Sequence, residues 1–254
     1  MNLCSPLKVL LDQSGHENVF LFLDYDGTLA EFAPNPDIVL PDDELIQLLT
    51  RLNAHPKVEL AVVSGRRLCH IRNLVPVDGI WLAGSYGVEM ITPSGKEIDL
   101  LNYNELRPCL DKVKPIWEIL VQERDEFYLE DKGWSIAIHA NGKNQKEVDF
   151  VIEKANKVNV PEGFILQGND HFVELCLPEA EKGNSIRHIL SLVGLEDVFP
   201  IFLGDDDRDE SAFEVVESLG GVGVLISDQP IESKATCYLK NPNVVRLWLS
   251  DFLD

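Results

Sequence analysis

The sequence predicts an α/β protein: a doubly wound, mostly parallel sheet interrupted by a smaller α+β module. Three observations carry this. Short apolar runs such as Val19–Leu23, Val58–Val63 and Pro200–Leu203 alternate with helical patterns, and a run with no polar alternation reads as a strand covered on both faces. Several of these runs stop in a small or polar cluster, as strands of a parallel sheet do at their ligand-facing ends. Between residues 108 and 178 the rhythm changes, and it resumes afterwards.

In order along the chain, Val19-Phe20-Leu21-Phe22-Leu23 forms the first buried strand and ends at Asp24-Tyr25-Asp26-Gly27. A proline-containing loop, Glu31 to Pro41, follows. Leu45, Leu48, Leu49 and Leu52 then recur at helical spacing behind Asp42, Asp43 and Glu44, whose charges suit the positive end of a helix. Val58–Val63 is the second strand, stopped by Ser64-Gly65-Arg66, and Ile80–Ala83 the third, stopped by Gly84. From about Pro108 the pattern gives a long helix, a strand at Ser135–His139, a helix over Gln145–Val158, and strands at Phe164–Gln167 and Phe172–Leu175. Gly168-Asn169-Asp170 between the last two has hairpin-turn chemistry. Lys182–Val193 is a helix, Pro200–Leu203 a strand ending in Gly204-Asp205-Asp206, Asp209–Leu219 a helix, and Val222–Leu225 a strand. The expected division is a core of residues 1–107 and 179–254 around an insertion of 108–178.

Composition narrows the partners. With 22 basic and 43 acidic side chains the formal charge is −21, which repels nucleic acid and anionic membrane. No stretch is apolar and long enough to span a bilayer, and Met1 to Leu11 lacks the pattern of a secretory leader. Cys4, Cys69, Cys109, Cys176 and Cys237 are scattered without a CxxC pair and read as idle thiols of a cytoplasmic monomer.

The strand-end clusters carry the chemistry. A desolvated carboxylate such as Asp24 can attack phosphorus, provided a cation offsets the repulsion between anions. Asp24 and Asp205 offer oxygen ligands suited to Mg²⁺. Asp26, two residues on, is placed to serve as general acid and then base. Ser64 and the N–H groups after it form an anion seat, and Lys182 offsets negative charge. Singly, a D-x-D pair or a Ser-Gly pair is a common turn or cap, and Asp205-Asp206-Asp207 with Asp209 and Glu210 would suit a solvated helix start. The ordered set is what points to a phosphoryl-transfer site.

In that order, DxDGT, S-G, K and GDD resemble the haloacid dehalogenase superfamily of phosphohydrolases. The resemblance implies Asp24 as nucleophile, Asp26 as acid/base, Ser64 and Lys182 as phosphate contacts, and Asp24, Asp205 and the Asp26 carbonyl as Mg²⁺ ligands. It also implies a Rossmann-like core with an inserted cap. Within that superfamily Asp24-Tyr25-Asp26-Gly27-Thr28, Ser64-Gly65-Arg66, Gly84-Ser85-Tyr86-Gly87-Val88-Glu89, Glu181-Lys182-Gly183 and Gly204-Asp205-Asp206 resemble the trehalose-6-phosphate phosphatases. The substrate contacts this implies are Gly65, Arg66, Glu89, Lys132, His139 and Glu174. The insertion departs from the family: His139-Ala140-Asn141 stands where His-Tyr-Arg is common, and Glu174-Leu175-Cys176 where Glu-x-Arg is common. Arg124 is the only arginine from 108 to 178. Other glycosyl phosphates, of sucrose or of glucosyl or mannosyl glycerate, therefore stand beside trehalose 6-phosphate as substrates. A sugar phosphomutase, which must hold a second phosphate, fits an arginine-poor insertion less well.

Overall fold

The computed structural model describes residues 2–32, 39–140, 144–193, 198–229 and 231–253. Most of the proline loop after Phe32, and Asn141, therefore lie outside the described residues. The elements are β1 (Asn2–Leu3), α1 (Leu7–Ser14), β2 (Asn18–Leu23), α2 (Asp43–Asn53), β3 (Val58–Val63), α3 (Leu68–Leu74), β4 (Trp81–Gly84), β5 (Glu89–Ile91), β6 (Glu97–Asp99), α4 (Tyr103–Val121), β7 (Phe127–Asp131), β8 (Ile136–Ala140), α5 (Gln145–Ala155), β9 (Ile165–Asn169), β10 (Phe172–Cys176), α6 (Lys182–Val193), β11 (Val198–Gly204), α7 (Glu210–Ser218), β12 (Val222–Ile226), β13 (Cys237–Leu239) and α8 (Pro242–Ser250).

The chain divides into two compact units, residues 1–98 with 181–254, and Asp99–Ala180. The first contains a sheet ordered β1-β13-β12-β11-β2-β3-β4-β5-β6. Pairing is parallel from β1 through to β4, and β5 joins β4 antiparallel. β2 is central, with β3 on one side and β11 on the other, so the winding reverses beside β2. In such sheets the crevice at the reversal lies beyond the carboxyl ends of the strands, and Asp24, Ser64 and Asp205 follow those ends closely.

Residues alternate across the sheet as period two demands. Val19, Leu21 and Leu23 of β2 join a core with Leu7 and Leu11 of α1, Leu45, Leu49 and Leu52 of α2, and Val245, Trp248 and Leu249 of α8. Phe20 and Phe22 point the other way and stack on each other, while Phe202 of β11 meets Phe213 of α7 edge-on. The helix ends follow from sequence. Asp42 accepts from the N–H groups of Glu44 and Leu45 at 3.0 and 3.1 Å, capping α2, and Asn241 caps α8 through Val244 N–H at 3.0 Å, with Pro242 just inside.

The second unit holds a separate antiparallel sheet, β7-β8-β10-β9. Leu129, Ile138, Val173 and Leu175 share one face; Glu130, Ala137, His139 and Glu174 share the other. The β9–β10 hairpin pairs Asn169 with Phe172, so its loop is Asp170-His171, one residue beyond the expected turn.

Three expectations change. The insertion begins at Asp99 and ends at Ala180, not at 108 and 178, because α4 starts at Tyr103 and contains both Pro108 and Pro115. Proline is favoured at a helix start and disfavoured inside, which is why the sequence placed the boundary late. β7 is an additional strand of that unit. Cys4 and Cys237 are not idle thiols but form a disulfide, with Cα atoms 4.8 Å apart, while Cys69, Cys109 and Cys176 are free. No helix among the described residues is long and apolar enough to cross a membrane.

Candidate active site

Asp24 follows β2 directly, its N–H donating to Leu203 O of β11 at 3.0 Å, and it is only 4% exposed. Lys182, the first residue of α6, places Nζ 2.7 Å from Asp24 Oδ1 and 2.5 Å from Asp209 Oδ1. The other oxygen of Asp209 accepts from the N–H groups of Asp205 and Asp206 at 2.8 and 3.2 Å. Thr28 Oγ1 lies 3.3 Å from both Asp24 Oδ2 and Asp205 Oδ1. Carboxylate oxygens of Asp24, Asp205 and Asp209 fall within 4.8 Å of one another.

Two glycines make this packing possible. A Cβ at Gly27, where φ is +78°, would lie 2.0 Å from Asp205 Oδ2. At Gly204 it would lie 2.4 Å from the Asp209 carboxyl carbon. Both sites need the absent side chain, and Gly27 also needs the left-handed backbone.

The electrostatics follow from burial. Desolvation pushes the Asp24 carboxyl up to about 7, with Asp205 adding to the rise and Lys182 opposing it. Burial, then Asp206 and Asp209, raises Asp205 to about 7, and burial above all raises Asp209 to about 8 against the pull of Lys182. Burial alone would lower Lys182, but Asp209 and Asp24 beside it hold it well above the ordinary lysine value. Three converging carboxylates with one ammonium form an oxygen-only, net-negative donor set. That is the donor chemistry of a hard divalent cation.

Asp26 is arranged differently. Its side chain is not part of the carboxylate cluster: Arg66 Nε and Nη2 donate to Oδ2 and Oδ1, each at 2.6 Å. Arg66 is 9% exposed. Its own N–H donates to Ser64 Oγ at 3.1 Å, and its carbonyl accepts from Ser85 N–H at 2.7 Å. Ser64 is buried, and Tyr86 N–H donates to its carbonyl at 3.0 Å. The Tyr86 ring lies where a Cβ at Gly65 would sit, 2.7 Å away, and the Arg208 guanidinium lies 4.7 Å from the centre of that ring. Ser85 and Tyr86 both have left-handed backbones, at φ 50° and 57°, a conformation that costs non-glycine residues energy and collects at functional loops.

The expected substrate contacts fall into two groups. Glu89 Oε2 accepts from Leu68 N–H at 2.9 Å and from Ser85 Oγ at 3.1 Å, so it braces the loop carrying Ser85. In the second unit Lys132 Nζ donates to Glu174 Oε1 at 3.3 Å and Ser135 Oγ to the same oxygen at 2.7 Å. His139 Nε2 lies 2.9 Å from Glu130 Oε2. Lys132, His139 and Glu174 thus belong to one polar cluster on one sheet face, joined by Glu130, which sequence reasoning missed. Its signal was the alternation Tyr128, Glu130, Lys132. Asp209 was visible as an acidic residue but not as a buried one, and nothing local marks the pairing of Arg66 with Asp26.

Known proteins resemble the chain along most of its length. A family model described as trehalose-phosphatase matches residues 22–243. A probable trehalose-phosphate phosphatase of Arabidopsis thaliana is 27% identical, over 96% of this chain and 70% of its own. A trehalose 6-phosphate phosphatase of Zea mays is 26% identical, over 96% and 72%. The structure of the C-terminal domain of a Candida albicans trehalose-6-phosphate phosphatase superposes with a TM-score of 0.83 at 18% identity, over 100% of this chain and 99% of that one. With Asp24, Lys182 and Asp205 gathered at the strand ends and the match spanning most of the sequence, the chain belongs to the trehalose-phosphatase family, as a phosphoric monoester hydrolase acting on a sugar phosphate.

Proposed function

We propose that this protein hydrolyses trehalose 6-phosphate through an aspartyl-phosphate on Asp24, with Mg²⁺ held by Asp24, Asp205 and the Asp26 carbonyl. The observation that supports this most is Asp24 itself: buried, anchored by Lys182 at 2.7 Å, and within 4.8 Å of two further carboxylates. Mg²⁺, when bound, offsets the repulsion between the carboxylates and an incoming phosphate. Asp209 faces the same cluster and adds a further oxygen donor.

The chain's own groups divide the work. Asp24 forms a bond to phosphorus as the bond from phosphorus to the sugar oxygen breaks, and Asp26 gives that oxygen its proton. Asp26 then takes a proton from water, whose oxygen bonds to phosphorus and releases Asp24 as a carboxylate with inorganic phosphate. Lys182 holds Asp24 in place and meets the phosphoryl charge. Ser64 Oγ and the N–H groups after it bind the phosphoryl oxygens. The Asp24→Asn variant keeps its circular dichroism and loses more than about a thousandfold in kcat; near-wild-type turnover by that variant, purified, refutes the covalent route.

A second substrate reading has its own observation. The described second unit contains Arg107 as well as Arg124, because it starts at Asp99. Arg107 is bound to Asp131 at 2.6 and 2.7 Å, and Arg124 to Leu120 O at 2.8 Å and Glu147 at 3.3 Å. Both guanidinium groups are engaged inside the unit, which favours a glycosyl phosphate that needs no arginine there. Comparing kcat/KM for trehalose 6-phosphate, sucrose 6-phosphate and glucosyl and mannosyl glycerate phosphates decides between them. Trehalose 6-phosphate is expected to lead, and a tenfold or greater lead (about 1.4 kcal/mol) by another compound overturns that choice.

A further inference from the structure

The pairing of Arg66 with Asp26 gives this arginine a different task from the one its place after Ser64-Gly65 suggests. An arginine in a phosphate loop reads as a phosphate ligand. Here two of its nitrogens, Nε and Nη2, form a fork on the two carboxylate oxygens of Asp26, each at 2.6 Å. The fork is itself held. Arg66 is 9% exposed, its N–H is tied to Ser64 Oγ, and its carbonyl is tied to Ser85 N–H at 2.7 Å. Its guanidinium carbon also lies 5.8 Å from the centre of the Tyr25 ring, between the two aspartates in sequence. A bidentate guanidinium–carboxylate pair fixes the plane of the carboxyl group as well as its position. Lysine, a point charge, cannot do this.

We infer that Arg66 is a positioning residue for Asp26: its fork aims the Asp26 carboxyl at the leaving-group oxygen, and binding of the phosphate falls to other groups. The inference rests on the reading of Asp26 as the acid/base of the proposed cycle. The proton it governs passes from Asp26 to the sugar oxygen as the phosphorus–oxygen bond breaks, and returns from water in the second half. A misaimed carboxyl slows that transfer, and with it displacement of a sugar oxygen, but not attack by Asp24 where the leaving group needs no proton.

Leaving-group dependence separates this from phosphate binding. A sugar alkoxide must be protonated as it departs, whereas p-nitrophenolate leaves without a proton. The experiment measures the pre-steady-state rate of leaving-group release, which reports the first half of the cycle alone, together with KM, for the preferred sugar phosphate and for p-nitrophenyl phosphate with wild type, Asp26→Asn, Arg66→Lys, Arg66→Ala and the double variant Asp26→Asn/Arg66→Ala. Circular dichroism and melting temperature are recorded for each. Asp26→Asn is expected to lower the release rate about a hundredfold or more on the sugar phosphate and far less on the aryl ester, while slowing the later hydrolysis of the aspartyl phosphate equally for both. Arg66→Ala and Arg66→Lys should show the same selective loss in the release rate, at least about tenfold greater on the sugar phosphate. In the double variant the two effects should not add, because both remove one function. Added guanidinium should restore part of the Arg66→Ala loss on the sugar phosphate, and Arg66→Lys should not rescue the selectivity.

Equal losses on both substrates, seen mainly in KM and additive with Asp26→Asn, overturn the inference and return Arg66 to phosphate binding; the acid role of Asp26 stands in that case. If Asp26→Asn itself fails to separate the two substrates, the acid role falls and the inference with it. Should Arg66→Ala melt well below wild type, the Arg66→Lys data decide between the same outcomes.

Discussion

Asp24, Asp205 and Asp209 carry three negative charges into a space with one ammonium, Lys182, and the cost shows in their titration. Burial raises Asp24 and Asp205 to about 7 and Asp209 to about 8. A carboxyl with a raised folded-state pKa binds protons more tightly when folded than unfolded. Without a cation, stability therefore falls as pH rises from the unfolded value, about 4, through 7 to 8. A divalent ion binds the ionised carboxylates and must displace protons at lower pH. The rise in melting temperature on adding Mg²⁺ to EDTA-treated protein should therefore be larger at pH 8 than at pH 6, and Asp205→Asn should abolish most of it. A shift that is equal at the two pH values, or larger at pH 6, contradicts a cation site built on these groups. Asp24, Lys182 and Asp205 were legible in the sequence because each adjoins the end of a strongly patterned element. Asp209 was not, since an acidic residue before a helix suits the dipole and needs no burial. Its burial comes from Gly204, which leaves space for its carboxyl. Asp26 and Arg66 lie 40 positions apart, and only the adjacency of β2 and β3 brings them together.

The elements of the second unit are joined by a charged clasp. Arg107 of α4 donates to both oxygens of Asp131 at the end of β7, Lys114 of the same helix to one of them at 2.8 Å, and Arg107 also to Gly133 O at 3.1 Å. The hydrogen bonds from Arg107 hold the Asp131 carboxyl well below its ordinary value, with Lys114 and the Gly133 N–H helping against partial burial. The sign for a depressed carboxyl is the opposite of that at Asp24: its stabilisation is complete above the unfolded value, about 4, and is lost as pH falls toward the lower folded value. Arg107→Ala in the full chain should therefore speed hydrogen exchange in peptides covering β7 and β8 at pH 7, by an amount equivalent to about 1–3 kcal/mol. Unchanged exchange there would show that the clasp contributes nothing to holding α4 on the sheet. The central strands β2 and β3 could be read almost to the residue, because continuous apolar runs leave one interpretation. β7 could not: Phe127-Tyr128-Leu129-Glu130-Asp131 is an edge strand with a half-polar pattern, and it follows a helix with two internal prolines. β1, β5, β6 and β13 have two or three residues each, too few to show a period. Pairing partners, not local pattern, make them strands.

At the scale of the molecule, the first and last strands of the large sheet in chain order, β1 and β13, meet at one of its sides. β1 pairs with β13 in parallel, Asn2 opposite Cys237 and Leu3 opposite Tyr238, and Cys4 N–H continues the ladder to Tyr238 O at 2.9 Å. The Cys4–Cys237 bond spans 233 residues at this edge. Sequence could not reveal it: five cysteines with no short spacing admit many pairings, and a two-residue strand gives no reason to place Cys4 beside Cys237. A cross-link enclosing so long a loop removes much of the unfolded chain's freedom, at most about 5 kcal/mol by loop-closure entropy. Besides the bond, Trp248 Nε1 donates to Ser5 O at 2.8 Å and Leu7 packs into the core, so the segment stays tethered without it but less tightly. Reduction with dithiothreitol, or Cys237→Ser, should therefore lower the melting temperature by about 5 °C or more, with faster exchange at the N–H of Cys4. The bond joins the strands β1 and β13 at the sheet's edge, which β12 separates from β11 and β2, the strands that Asp205 and Asp24 follow, so kcat at 25 °C should stay within about twofold, as for a change remote from bonded site groups. Titration of unreduced native protein should count three thiols, those of Cys69, Cys109 and Cys176. Five thiols would refute the bond itself, and three thiols with an unchanged melting temperature would refute its contribution to stability.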